Sequence, residues 1–192
     1  MELNECIYRN MAKHDYIAIF DMDEMIVPVK DMTWPDLIRR AEKLDNPKNP
    51  SDYIVNRHSF VMEEKEENVY DLGPTNEAIP DYLFMLRHTF RTGFRDSYAN
   101  VKSFFNSKTI MSVHNHHART CYKDGKEFKG CTAFTTNPNT TSMMFHFRHN
   151  RHIVDGNCSA NNPDRCEFHD RTLWKHYQNL KEAVKIVVNM FY

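Results

Sequence analysis

Residues 16–28, YIAIFDMDEMIVP, constrain this chain more than any other stretch: five largely apolar residues run into Asp21-Met22-Asp23-Glu24, and the chain leaves through Ile26 and Val27 to Pro28. A strand made of Tyr16, Ile17, Ala18, Ile19 and Phe20 carries too little polarity to be half exposed, which predicts a central strand covered on both faces. In open α/β sheets the crevice beyond the carboxyl ends of the strands holds ligands, and Asp21, Asp23 and Glu24 would emerge there. Acids packed this closely repel one another. A hard divalent cation such as Mg²⁺ or Mn²⁺, which takes oxygen ligands, is the economical counter-charge. The competing reading is a strand followed by an acidic, solvated turn, and the apolar runs on both sides weigh against it.

A chain of 192 residues can bury a sizeable core and fits one domain. Its net charge of −1, with lysines and arginines scattered among nearly equal numbers of acids, argues against broad nucleic-acid binding. With 5 glycines, no low-complexity stretch and no internal repeat, it is neither collagen-like, disordered nor a repeat array. No apolar run reaches the roughly 18 residues of a membrane span, and the opening MELNECIYRNMAKHD has no basic segment followed by an apolar one. The cysteines point to an oxidising compartment all the same. Cys121, Cys131, Cys158 and Cys166 lie in the polar second half at spacings that suit two short-loop disulfides, Cys121 with Cys131 and Cys158 with Cys166, and leave Cys6 as a free thiol buried in its helix. Two sequons, Asn139-Thr140-Thr141 and Asn157-Cys158-Ser159, agree. A secretory-pathway chain without a signal is explained most simply by a missing N-terminal part.

Along the chain, LNECIYRNMAK (3–13) spaces Leu3, Cys6, Ile7 and Met11 as a helix, with Asn4 as a cap candidate, leading into the opening strand. TWPDLIRRAEKL (33–44) has a Thr33 cap, an early Pro35 and a stripe of Leu37, Ile38, Ala41 and Leu44, a second helix. YIVNRHSFVME from Tyr53 alternates as a strand, and the charge run Glu63 to Asn68 is a solvated turn. PTNEAIPDYLFMLRHTFRTGF stays open between helix and loop. KTIMSVHNHH and TTSMMFHFRH are strands that end in histidines, and from Asp170 a capped apolar stripe through Leu173, Tyr177, Leu180, Val184, Val187 and Val188 predicts a terminal helix. The order is mixed α/β, helices flanking a mixed sheet, without strict alternation.

Two chemistries use a strand that ends in Asp-x-Asp. The motif FDMD resembles that of haloacid-dehalogenase-type phosphatases, in which the first Asp attacks phosphorus, the second serves as acid and base, and Mg²⁺ screens both. That mechanism also needs a Gly-Thr-type turn, a later Lys and a late acidic pair. Here Glu24-Met25 follows, and the nearest late acids, Asp164 and Glu167, lie in a Cys- and Asn-rich loop. The other chemistry is sugar transfer from a nucleotide-sugar, where a divalent ion on Asp-x-Asp neutralises the diphosphate as the glycosidic bond breaks. A distant third ligand completes such a site, and His146 in MMFHFRH is a borderline imidazole suited to Mn²⁺.

LNECIYRNMAKHDYIAIFDMDEMIVPVKDMTWPDLI resembles the core of glycosyltransferase family 92, in which a helix with Asn-Asp-Cys-x-Tyr-Arg precedes a strand ending in Asp-x-Asp-Glu. Asn4, Cys6, Tyr8, Arg9, Asp21, Asp23, Glu24 and Pro28 fall on that pattern, and Glu5 stands where Asp is more usual. Downstream, KSFFNSKTIMSVHNHHA resembles the family's Lys-Ser strand and the strand ending in His, placing Lys102, Ser103 and His114, while FHFRHN has Phe147 in place of a Tyr. The resemblance implies a GT-A fold and a metal-dependent inverting transferase moving galactose from UDP-galactose to a glycan acceptor, fucose on an N-glycan core being one known type. It further implies a single-pass enzyme anchored in the Golgi membrane with its domain in the lumen. On this reading residues 1–192 are the C-terminal part of a single family domain, with the strands that grip the nucleotide lying upstream. A third class, a non-catalytic remnant, stays open.

Within that frame Asp21 and Asp23 are the metal and diphosphate residues, and Glu24 holds the loop or the sugar. His114 and His146, each closing an apolar strand, compete for the third ligand position, with His146 preferred. An inverting transferase needs a carboxylate to take the acceptor proton, and the candidates are Asp96, beside a Gly and aromatics, then Glu64 and Glu63 in the charge run. His114, His116 and His117 lack the partner spacing of a zinc site and read as surface or acceptor-side groups. Trp34 and Trp174 fall within helical stripes and read as core.

Overall fold

The computed structural model describes residues 2–45, 53–56, 58–61, 73–74, 77–93, 101–123, 126–147 and 168–191. In chain order the elements are α1 (Glu2–Asn10), β1 (Tyr16–Ala18), β2 (Glu24–Pro28), α2 (Trp34–Asp45), β3 (Tyr53–Asn56), β4 (His58–Val61), β5 (Phe90–Arg91), β6 (Lys102–Asn106), β7 (Ile110–Val113), β8 (Ala118–Lys123), β9 (Lys126–Lys129), β10 (Ala133–Thr135), β11 (Ser142–Phe147), β12 (Phe168–His169) and α3 (Tyr177–Phe191). They fall into two compact units, Met1–His58 with Phe94–Phe145 and Ser59–Gly93 with His146–Tyr192.

The first unit is built on a sheet ordered β1-β6-β3-β10, with β6 antiparallel to both neighbours and β3 parallel to β10. The alternation of β6 feeds two cores. Phe105 joins Ile7 of α1, Ile17, Val101 and the hairpin residues Ile110, Val113 and Ala118 on one face. Phe104 joins Ile26, Met144 and the α2 residues Leu37 and Ala41 on the other. Among the described residues strand β1, predicted as the central strand, is instead a three-residue strand at the end of this sheet, and β6 lies between β1 and β3. The apolar reading survives because Ile17 and the pair Tyr16 and Ala18 still face the two cores. Apolarity reports covered faces and says nothing of which edge is paired.

Helix α1 is fixed by polar anchors as well as by Ile7. Asn4 Oδ1 accepts the Val113 N–H at 2.8 Å and Tyr8 donates its hydroxyl to the Met111 carbonyl at 2.7 Å. Asn4 is therefore inside the helix and bonded to β7, not a cap: its amide reaches a strand N–H left over by the hairpin. Cys6 is free, as expected, but exposed, one step round the helix from the fully buried Ile7. Full burial of Ile7 contributes about 1.5–3 kcal/mol. Helix α2 starts as predicted, with Thr33 Oγ1 accepting the Asp36 N–H at 3.3 Å. Leu37 and Ala41 face the core, while Leu44 is exposed. Strands β7, β8 and β9 form an antiparallel meander, and the predicted Cys121–Cys131 disulfide ties β8 to the segment after β9. Cys158 and Cys166 lie outside the described residues. Strand β11 lies beside β2.

In the second unit β5 lies between β4 and β12. The stretch left open by the sequence becomes a short 3-10 helix, Asp81–Leu86, that buries Leu83 and Leu86, followed by β5. The terminal helix begins with 3-10 geometry, Thr172–His176, and its N-cap is Arg171, without a side-chain cap bond, in place of the predicted Asp170. Asp170 stands one residue earlier and closes the approach by accepting the Thr172 N–H on Oδ1 at 2.8 Å. Trp174 is half-buried, its indole N–H donating to the Leu86 carbonyl at 2.8 Å. Among the described residues no helix is long and apolar enough to cross a membrane.

Candidate active site

Beyond β1 the chain passes through Ile19 and Phe20 into a tight turn, Asp21-Met22-Asp23-Glu24, and leaves as β2. The turn is closed at both ends. The Glu24 N–H donates to the Asp21 carbonyl at 3.1 Å, and the Asp21 N–H donates to Glu24 Oε2 at 2.8 Å. Glu24 is thereby drawn inward, its side chain 5% exposed, whereas that of Asp21 is 61% exposed. Asp23 is half-buried and Met22, at the tip, is fully exposed.

What holds the acids together is Lys102. The register that pairs Ala18 with Phe104 carries the first residue of β6 to the start of the turn. Its side chain is fully buried, and the ammonium lies 2.8 Å from Glu24 Oε2, 3.2 Å from Asp21 Oδ2 and 2.9 Å from Asn115 Oδ1. A buried ammonium is tolerated only when its donors are met and its charge is paired, and these three oxygens do both. Partial burial pushes the Asp21 carboxyl up, but the hydrogen bond and charge of Lys102, with help from Asn115 and Glu24, outweigh it and hold Asp21 below the ordinary carboxylate value.

Asn115 belongs to the loop joining β7 and β8, whose turn is closed by the His114 N–H donating to the His117 carbonyl at 2.8 Å. The loop is stitched to three successive residues of the β6 region: His116 Nδ1 lies 3.0 Å from the Val101 carbonyl, Asn115 takes Lys102, and Ser103 donates to the His116 carbonyl at 3.2 Å. His114 is exposed and stacked on His117, with ring centroids 5.1 Å apart. Burial, followed by the neighbouring His114, His116 and Arg119, pushes His117 below the ordinary imidazole value. The acidic turn and the histidine loop thus share one buried cation.

Of the residues singled out from sequence, Asp21, Asp23, Glu24 and the His114 loop belong to this first unit, and His146 lies half-buried on β11 in the second. Glu63, Glu64 and Asp96 lie outside the described residues. Among the described residues no three His, Cys, Asp or Glu side chains are grouped to hold a metal ion. Trp34, read as core, is 38% exposed; its indole N–H donates to the Ile26 carbonyl at 2.9 Å and its ring meets Phe20 and Phe104 edge-on. It also lines a groove of about 710 Å³ with Tyr16, Ile38, Arg39 and Glu42, which Asp21, Asp23 and Lys102 do not line. The sequence places Lys102 on the family's Lys-Ser strand without giving it a role, and it does not single out Asn115. The available signal was a lone lysine opening the apolar run KSFF, a position where an ammonium has to find carboxylates.

The model for glycosyltransferase family 92 matches residues 1–184 of the chain. The chain belongs to glycosyltransferase family 92. No curated protein sequence matches it. Family membership makes it a glycosyltransferase with a mixed α/β fold, an enzyme class that takes a nucleotide-sugar donor and a glycan acceptor. The family motif read from sequence divides in the structure between two jobs. Asn4 and Tyr8 anchor α1 to β7, and Asp21 and Glu24 shape the acidic turn.

Proposed function

We propose that this domain is a metal-dependent, inverting hexosyltransferase that moves galactose from UDP-galactose onto a glycan acceptor, fucose-bearing N-glycans among them, on the lumenal side of the Golgi membrane. The observation that carries the reading is the Lys102-braced turn. Lys102 fixes Glu24 and Asp21 in one turn with Asp23, so that carboxylate oxygens, the hard donors a divalent cation takes, are gathered where the Asp21 side chain is 61% exposed. Cations at diphosphate sites take one or two carboxylates and fill their remaining positions with water and substrate oxygens, so Asp21 and Asp23 are a sufficient protein contribution. Mn²⁺ bound there would supply charge neutralisation of the diphosphate leaving group. His114, on the loop that shares Lys102 with the turn, is the imidazole this unit offers as a further ligand.

Each residue then has a task. Asp21 and Asp23 present hard oxygen donors to the donor's diphosphate end. Glu24 and Lys102 keep the turn in one shape, so its carboxylates need no reorganisation when substrate arrives. A carboxylate on the acceptor side, Asp96 or Glu64, removes the proton of the attacking hydroxyl. The Cys121–Cys131 disulfide supports a lumenal setting, since such bonds persist in oxidising compartments.

The test is turnover by the full-length protein of a panel of UDP-sugars, with Mn²⁺ or with chelator, beside hydrolysis of a phosphate ester with Mg²⁺. Chelator-sensitive consumption of UDP-galactose with an inverted anomeric product is expected. Phosphate-ester hydrolysis with no sugar transfer would overturn the reading.

A further inference from the structure

We propose that Asn139 carries an N-linked glycan. Asn139-Thr140-Thr141 is an acceptor sequon, and it lies in the turn that joins β10 to β11. The turn is organised by Asn137. Its carbonyl accepts the N–H groups of Thr140 and Thr141 at 3.2 and 2.8 Å, and its side-chain oxygen accepts the Asn139 N–H at 2.8 Å. Asn137 therefore does the local structural work, and Asn139 is left exposed at the outside of the turn, where a hydrophilic oligosaccharide displaces no packed atom.

A second, independent observation comes from the same part of the chain. Cys131, just upstream, is bonded to Cys121, and such a bond forms and persists in an oxidising compartment. In the lumen of the secretory pathway a sequon meets the machinery that glycosylates asparagine. The reaction joins the anomeric carbon of a carrier-linked oligosaccharide to Asn139 Nδ2. The bond broken is the one from that carbon to the diphosphate of the polyprenyl carrier, and the displaced amide proton leaves with the polyprenyl diphosphate.

The geometry also orders the events. Thr141 is fully buried, and beside it the buried pair Thr136 and Ser142 closes the base of the turn through a 2.9 Å hydrogen bond. The sequon hydroxyl has to be reachable when the glycan is transferred, so the modification precedes closure of β10 and β11. The finished turn then holds the glycosylated side chain outside.

The experiment is expression of the full chain behind a cleavable secretory signal in eukaryotic cells, followed by peptide-N-glycosidase digestion in heavy-oxygen water and peptide mapping. Conversion of Asn139 to labelled Asp is expected in the wild type and in Thr141→Ser, and its loss is expected in Asn139→Gln. Site-resolved mapping keeps Asn157 separate. Recovery of an unmodified Asn139 peptide from lumenal protein whose Cys121–Cys131 bond has formed would overturn the proposal. Because the readout is mass, it stands or falls independently of the transferase reading.

Discussion

Replacing Lys102 with Met removes the buried cation while keeping the length of its stem, so it asks what the ammonium contributes. At 2.8 Å from Glu24 Oε2 the gross attraction is about 6 kcal/mol at an effective dielectric constant near 20, and most of it is offset by the cost of desolvating both charges. The arm to Asp21 adds little, because that carboxylate is 61% exposed and screened by water. Removing one partner of a buried pair leaves the other charge stranded, which costs about 3–5 kcal/mol. For a chain of this size that lowers the melting temperature by about 10 °C. The second variant, Lys102→Met with Glu24→Gln, strands no charge, and the Gln side-chain oxygen can still accept the Asp21 N–H. We expect it to recover more than half of the loss, a coupling of about 2 kcal/mol or more by urea denaturation of the four proteins in the cycle. A loss below about 1 kcal/mol for the single variant, or additive effects in the double, would refute the argument that Lys102 and Glu24 act as a unit.

Four further outcomes are expected. In the full-length transferase, His114→Ala should raise the Mn²⁺ concentration needed for half-maximal transfer about tenfold, and no change means that His114 is structural. Asp170 is held below the ordinary carboxylate value because, although burial pushes it up, the hydrogen bonds from Arg91 at 2.6 Å and from Thr172 outweigh that. A depressed folded value means this stability is complete above about pH 4, the unfolded value, and is lost as pH falls through the lower folded one; Asp170→Asn should cost about 3 kcal/mol at neutral pH and flatten that acid transition. The disulfide closes a loop with a sequence separation of 10, so Cys131→Ser should destabilise by about 2.5 kcal/mol, measured against the oxidised wild type. Without reductant, the exposed Cys6 should alkylate in the folded protein while Cys121 and Cys131 do not.

The sequence made the helices and the β7 and β11 strands legible because their apolar spacing matches what the cores absorb: Leu37 and Ala41 in α2, Ile110 and Val113 in β7, Leu173 and Tyr177 at the start of the terminal helix. It misplaced β1 because an apolar strand needs covered faces, and covering does not decide whether its edge is paired. It misread Asn4 as a cap for a related reason. An amide suits a helix end and a strand N–H equally, and only the tertiary partner Val113 distinguishes them. Of the site, the acids were visible as a local motif. Their brace was not, since Lys102 and Asn115 are 81 and 94 positions from Asp21 in the chain and meet it only through the register of β6 and the stitching of the histidine loop. Long-range polar contacts leave no periodicity to read.

The central claim is that the Lys102-braced acidic turn serves metal-assisted sugar transfer, and Asp23→Asn in the full-length protein tests it most directly because it keeps the side chain's size and removes one anionic donor. The measurement is the rate of UDP release from UDP-galactose in the presence of a glycan acceptor across a Mn²⁺ titration, with thermal melting as a check on folding. The account predicts a folded variant whose transfer falls by about a hundredfold or more, the order lost when a charge-stabilising group is removed from a transition state. Metal-dependent transfer at the wild-type rate would contradict it.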